Sequence, residues 1–169
     1  MRTPVVAFAG VVLVSLSACG TAQQDRAGQQ EGDVAVAELD SLRQAWRGAA
    51  AQGDIERYMG YLTPDVVVMA PGQPAMNGQD AFRPFVGAFF AGFRIESDEN
   101  VSEEIVVAGD WAFDRGVYHS VYLPVDSAPA VRDDGQYIYL AHHDVDGWKY
   151  ARIIWNSVPP VDPPGKGGT

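Results

Sequence analysis

The chain has 169 residues, a single cysteine and a formal charge of −10, with 12 Lys+Arg against 22 Asp+Glu. At roughly 100–200 residues per domain this is one domain with tails, and a hydrophobic share of 47% excludes global disorder. Scattered basic residues in an acidic chain exclude a nucleic-acid surface, which needs clustered cations facing phosphates. One cysteine excludes an intramolecular disulfide and a cysteine-based zinc site.

Residues 1–18 open on Met1-Arg2-Thr3 and continue as an apolar run to Ala18. The run is shorter than the roughly 20 apolar residues needed to span a bilayer and ends in small residues, the pattern of a secretory signal. Its end, Leu16-Ser17-Ala18-Cys19, resembles the bacterial lipobox. That resemblance implies an exported lipoprotein whose mature chain starts at a lipid-modified Cys19, anchored to the cell envelope. Gly20 stands where an Asp would resemble an inner-membrane retention signal, which favours the outer membrane where one is present. The alternative is a plain signal peptide with an incidental cysteine. Processing removes Arg2 as the sole charge and moves the formal charge from −10 to −11.

Residues 19–33 are polar, rich in Gln and Gly, and read as a flexible tether. The domain proper is expected over 34–158, and the Pro/Gly-rich residues 159–169 as a disordered tail. Within the domain, Leu39, Leu42, Trp46 and Ala49 recur at helical spacing from Val34 to Gln52. Gly53 is the expected stop, and Asp54 the N-cap of a second helix over Ile55–Leu62. Thr63-Pro64 should end it, and Val66–Met69 reads as a strand. Pro71–Gly78 is an expected loop, and Gln79–Gly92 a third helix with Phe82, Phe85, Val86, Phe89 and Phe90 on its apolar face.

The remainder reads as strand: Phe93–Glu96 and Glu103–Ala108 around an acidic turn, then Trp111–Leu123. A loop over Pro124–Gly135 precedes Gln136–Val145 and Trp148–Ser157, which flank a hairpin signal at Asp146-Gly147. Helices first and an antiparallel meander afterwards define an α+β domain. A curved antiparallel sheet wrapped as a cone around the long first helix buries both apolar faces and leaves a mouth for a small molecule.

The stretches AAAQGDI after Trp46, PDVVVMAP (64–71), VVAGDW (106–111) with Arg115-Gly116, and DGWKYARIIWNS (146–157) together resemble the SnoaL-like, or ketosteroid-isomerase-like, branch of the nuclear transport factor two-like superfamily. The resemblance covers residues 38–158. It implies the cone fold and a homodimer formed through the sheet; this fold hosts enzymes, binding modules and dimerisation units alike.

Pairing Val145 with Trp148 across the hairpin places Ile138, Leu140 and His142 on one sheet face with Ala151, Ile153 and Trp155. Tyr137, Tyr139, His143, Trp148, Tyr150 and Arg152 then form an aromatic outer face suited to self-association. On the preceding strand Trp111, Phe113, Arg115, Val117 and His119 share a face, and the resemblance turns that face toward the pocket; a bulge would invert the parity. The expected pocket residues are therefore Trp46, Tyr58, Met69, Arg115, His119, His142 and Trp155. An anionic or polar ligand held by Arg115, with His119 as donor or acid/base, is one reading. The other has Arg115 paired with a local acid such as Asp54 or Asp65 and His119 satisfied in the core.

Isomerase chemistry of this family needs a carboxylate base and two buried donors. Aligned on Gly53-Asp54, the family's tyrosine falls on Trp46, its base on Ala70 and its second acid near Leu140, so neither acid is present. Neighbouring His142 and His143 point to opposite faces of a strand and cannot share a metal ion. No metal site, phosphate loop, nucleophile elbow or cofactor motif is found. The expected function is binding of a small molecule, or a dimeric interaction module, with no assigned reaction. The alternative is a diverged hydrolase or isomerase using Arg115, His119 and Trp46.

Overall fold

The computed structural model describes residues 18–158, with side chains from residue 28 onward. The expected signal segment before Ala18, the Cys19 side chain and the expected tail at 159–169 lie outside them.

Helix α1 (Ala18–Gln52) buries the predicted stripe of Leu39, Leu42, Trp46 and Ala49. It stops where Gly53 takes a φ of 65°. The Gly53 and Asp54 N–H groups donate back to the Ala50 and Ala49 carbonyls, each at 3.0 Å, and so close the last turn. Asp54 then opens α2 (Ile55–Gly60), its carboxylate accepting from the Arg57 N–H at 3.0 Å. The N-terminal half of α1 is a correction: the stretch expected as a tether is helical, although none of residues 28–38 is buried. Adding a turn to a helix already nucleated by packing is cheap, and Ala, Gln and Glu favour it. Among the described residues no helix is long and apolar enough to cross a membrane.

Strand β1 (Leu62–Met69) starts earlier than expected and contains Pro64, which has no N–H to give a ladder; its pairing slips between Leu62 and Val67. The short β2 (Met76–Asn77) lies within the expected loop, and α3 (Gln79–Gly92) has the expected bounds. Then follow β3 (Phe93–Ala108), β4 (Trp111–Pro124), β5 (Val131–Asp144) and β6 (Gly147–Ser157). They form one open, curved six-stranded sheet in the order β2-β1-β6-β5-β4-β3. The architecture is the expected α+β cone with three helices. The sheet is mixed rather than antiparallel throughout, because β1 runs parallel to β6; the Tyr150 N–H donates to the Tyr61 carbonyl at 2.9 Å where the two begin.

Residues 97–102, expected as an acidic turn between two strands, continue the single strand β3. Alternation sends Asp98, Asn100 and Ser102 to the helix side opposite Ser120, Tyr118 and Gly116 of β4, while Glu99 and, past a bulge at Glu103, Glu104 face out opposite His119 and Arg115. A turn was expected because polar residues occupy both faces here, which removes the alternation that marks a half-buried strand.

The hairpin fixes the faces of β5 and β6. Asp144 pairs with Gly147, so the two-residue loop is Val145-Asp146, one position earlier than expected. The Asp144 carboxylate accepts from the Asp146 N–H at 2.8 Å, a side-chain turn that sets this register. Further along, Ala141 pairs with Tyr150 but Leu140 with Arg152, so Ala151 is an extra residue. That bulge lets Tyr150 and Ile153, of opposite parity, both point inward.

Two further placements are corrected as a result. Tyr137, Tyr139 and Tyr150 are not on the outer face; all three are buried under α1. On β4 the inward set is Ala112, Asp114, Gly116, Tyr118 and Ser120, leaving Trp111, Arg115 and His119 exposed. Gly116 and Gly135 are required by closeness: an added Cβ would lie 2.0 Å from the Val101 carbonyl oxygen and 2.0 Å from that of Asn156.

Candidate functional site

Between the sheet and the three helices lies a cavity of about 350 Å³, within the range of small-molecule sites. Its apolar wall comes from Trp46 of α1, Tyr58 of α2, and Phe82, Phe85, Phe89 and Phe90 of α3, faced by Ile153 and Trp155 of β6. The helical spacing read in α3 aims its rings at the sheet, where Phe89 meets Tyr122 edge-on at 5.0 Å and Phe85 meets Trp155 at 6.5 Å. Trp46 stacks on Tyr58 with centroids 4.9 Å apart.

Polar groups enter from β3, β4 and β5. Asp98 accepts from the Arg47 Nε–H at 2.9 Å and from the Ser120 hydroxyl at 2.7 Å, which ties α1 to the sheet. The Tyr118 hydroxyl donates to Asp133 at 3.1 Å, and Asn100 lies 3.5 Å from the Tyr139 hydroxyl. Burial raises the Tyr118 phenol well above its ordinary range and pushes Tyr122 up to about 12, so both keep their protons at neutral pH. The Trp46 Nε1–H is buried and has no acceptor among the described residues.

Of the expected pocket residues, Trp46, Tyr58 and Trp155 line the cavity. The other four do not. Met69 is exposed at the end of β1, whose buried residues are Leu62, Thr63, Val66 and Val68. Arg115 lies outside, donating to Glu104 at 2.5 Å and Glu103 at 2.8 Å, which corrects both its pocket placement and the local acids expected for it. His119 is outside too, its Nδ1 2.9 Å from Asp134. His142 stacks on Trp111 at 4.7 Å on the same outer face. For the last three the physical reason is parity on β4 and β5, and it gives the pocket acids and phenols in place of Arg115, His119 and His142. Asp98, Asp133 and Tyr118 are the residues that sequence reasoning missed. Asp98 and Asp133 sat in stretches read as turn and loop; Tyr118 sat on the face assigned outward.

The SnoaL-like domain family matches residues 42–149. Among solved structures, a ketosteroid isomerase-like protein from Erwinia carotovora atroseptica superposes with a TM-score of 0.66 at 24% identity, covering 73% of this chain and 96% of that one. A candidate dehydratase of the NTF2-like family from Streptomyces avermitilis gives 0.65 at 20%, covering 76% and 99%. A nuclear transport factor 2-like superfamily protein from Salmonella enterica gives 0.65 at 12%, covering 81% and 98%. At these identities the likeness is one of fold. None of the curated proteins matches the chain.

Proposed function

Because the chain belongs to the SnoaL-like domain family, we propose that its cone cavity binds a small, largely apolar molecule. The observation that carries this reading is the aromatic cavity wall, in which Trp46 holds a buried Nε1–H without an acceptor among the described residues. Such a group costs about 1–3 kcal/mol when left unmade, and a ligand carbonyl or ring nitrogen would satisfy it. The aromatic wall supplies apolar burial, and Asn100, Tyr118 and Ser120 supply orientation.

Replacing Trp46 with phenylalanine tests it. The change keeps a ring against Tyr58 while deleting the N–H, so stability is expected to move by no more than about 1 kcal/mol. Native mass spectrometry of the wild type should show a co-purifying small molecule, and Trp46→Phe should lose it. A bare wild-type mass, or equal occupancy of the two proteins, overturns the reading.

A second reading, a diverged isomerase or hydrolase, now rests on the Tyr118–Asp133 hydrogen bond inside the cavity, since Arg115 and His119 are elsewhere. Ala70, on the cavity wall at the position of the family's base, weighs against it. We further propose the lipid anchor at Cys19 and a homodimer through the outer sheet face, now a surface of Val101, Ile138 and the Arg115 ion pairs. Fractionation and sedimentation of the wild type beside Cys19→Ala test both. Membrane association that survives the change overturns the anchor, and a monomer at micromolar concentration overturns the dimer.

A further inference from the structure

Three charged residues line the cavity: Arg47, Asp98 and Asp133. Arg47 and Asp98 neutralise each other at 2.9 Å, and Asp98 has its other oxygen engaged by Ser120. Asp133 is different. One of its oxygens accepts from the Tyr118 hydroxyl, and among the described residues no cation lies within ion-pair distance of it. Its neighbour along β5, Arg132, donates instead to Asp134 at 2.8 Å on the outer face, where His119 joins the same carboxylate. Strand alternation thus separates two adjacent acids: Asp134 is neutralised outside, and Asp133 turns inward opposite Ser120 without a counter-charge. The cavity wall carries one net negative charge among aromatic rings.

We propose that the cavity selects a cationic ligand, a protonated amine or quaternary ammonium carried on an apolar ring or chain, with Asp133 as its charge partner. This rests on the small-molecule reading above and names the ligand class. Phe85, Phe89, Tyr122 and Trp155 present ring faces or edges around the same space, and aromatic faces attract cations, more strongly when water is excluded. An anion would have to displace Asp98 from Arg47 while standing in the field of Asp133. A neutral ligand would fill the apolar wall but leave the carboxylate without an opposite charge, whose attraction is strengthened where water is excluded.

A matched series separates the possibilities: 4-phenylbutylamine, 4-phenylbutanol and 4-phenylbutyrate, of one ring and chain and three charges, titrated calorimetrically into the full domain at neutral pH. The amine is expected to bind at least about tenfold more tightly than the alcohol, a difference of about 1.4 kcal/mol, and the carboxylate more weakly than either. Asp133→Asn should erase the preference for the amine while leaving affinity for the alcohol in place, and Asp133→Glu should restore part of it. Equal binding of amine and alcohol to the wild type overturns the charge selectivity and leaves the small-molecule reading standing. A preference for the amine that persists in Asp133→Asn overturns the role of Asp133. If none of the three binds the wild type, both the selectivity and the pocket reading fall. The wild-type comparison decides the selectivity even if the Asn variant does not fold.

Discussion

Replacing Asp114 with alanine is expected to destabilise the domain by about 3–5 kcal/mol, the range for removing one partner of a buried ion pair. Asp114 is 4% exposed on β4. One carboxylate oxygen takes the Arg43 guanidinium of α1 at 2.5 Å; the other accepts from Ser102 at 2.5 Å and from the Tyr137 hydroxyl at 3.3 Å. Arg43 also reaches Asp40, whose side chain is 44% exposed and cannot replace a buried partner. Alanine would leave the guanidinium and two hydroxyl donors enclosed without their acceptor, and each would have to find water through the packed interface of α1 with the sheet. Urea denaturation measures the loss as a fall in midpoint at unchanged slope. The double variant Arg43→Met, Asp114→Leu removes both charges and is expected to recover the part due to the unpaired guanidinium, because an apolar pair needs no counter-ion, while the Ser102 and Tyr137 hydroxyls stay without their acceptor. A double variant as unstable as Asp114→Ala would assign the effect to those two hydroxyls instead of the ion pair.

The same carboxylate explains why the helices were legible in the sequence and the faces of the sheet were not. Helical spacing of Leu39, Leu42, Trp46 and Ala49, and the Gly53-Asp54 junction, are local signals that the chain obeys on its own. On β4 the usual cue runs backwards. The outward set includes Trp111, Phe113 and Val117, whereas the inward set is Ala112, Asp114, Gly116, Tyr118 and Ser120. The inward residues are small or polar because Arg43 and the cavity, both supplied by other elements, meet them there. Apolarity alone therefore assigns this strand to the wrong face, and Arg115 and His119 are carried with it.

Two sub-residue details decided the rest. An Asx turn at Asp144 set the hairpin register, and one bulge at Ala151 let β6 present both Tyr150 and Ile153 to the core. Neither has a composition signature. The glycines opposite the tyrosine rings were the available clue: Gly116 lies under Tyr137 and Gly135 under Tyr118, which places both rings on the crowded, inward side. For the site, position along the chain mattered more than residue type. Asp98 and Asp133 were visible as acids, but only continuous strands through both stretches give them a face.

The inward tyrosines lead to the second large effect, a cooperative alkaline unfolding. Burial raises the phenols of Tyr58, Tyr118, Tyr122, Tyr137, Tyr139 and Tyr150 above their ordinary value. A group whose folded state holds its proton more tightly contributes stability that is fully present below the unfolded pKa of about 10 and is lost as pH rises toward the folded value. Each phenol kept protonated removes about 1.4 kcal/mol of stability per pH unit in that window. Three of them, Tyr58, Tyr139 and Tyr150, therefore withdraw about 4 kcal/mol per unit together, against a total of about 5–15 kcal/mol for a domain. Absorbance at about 295 nm should stay flat for these side chains through pH 10 and then rise in one step that coincides with loss of near-ultraviolet dichroism. Replacing Tyr139 with phenylalanine should move that step to higher pH, since its hydroxyl has only the 3.5 Å contact to Asn100 to lose. Phenols that ionise near pH 10 with the dichroism intact would show the α1–sheet interface to be open to water.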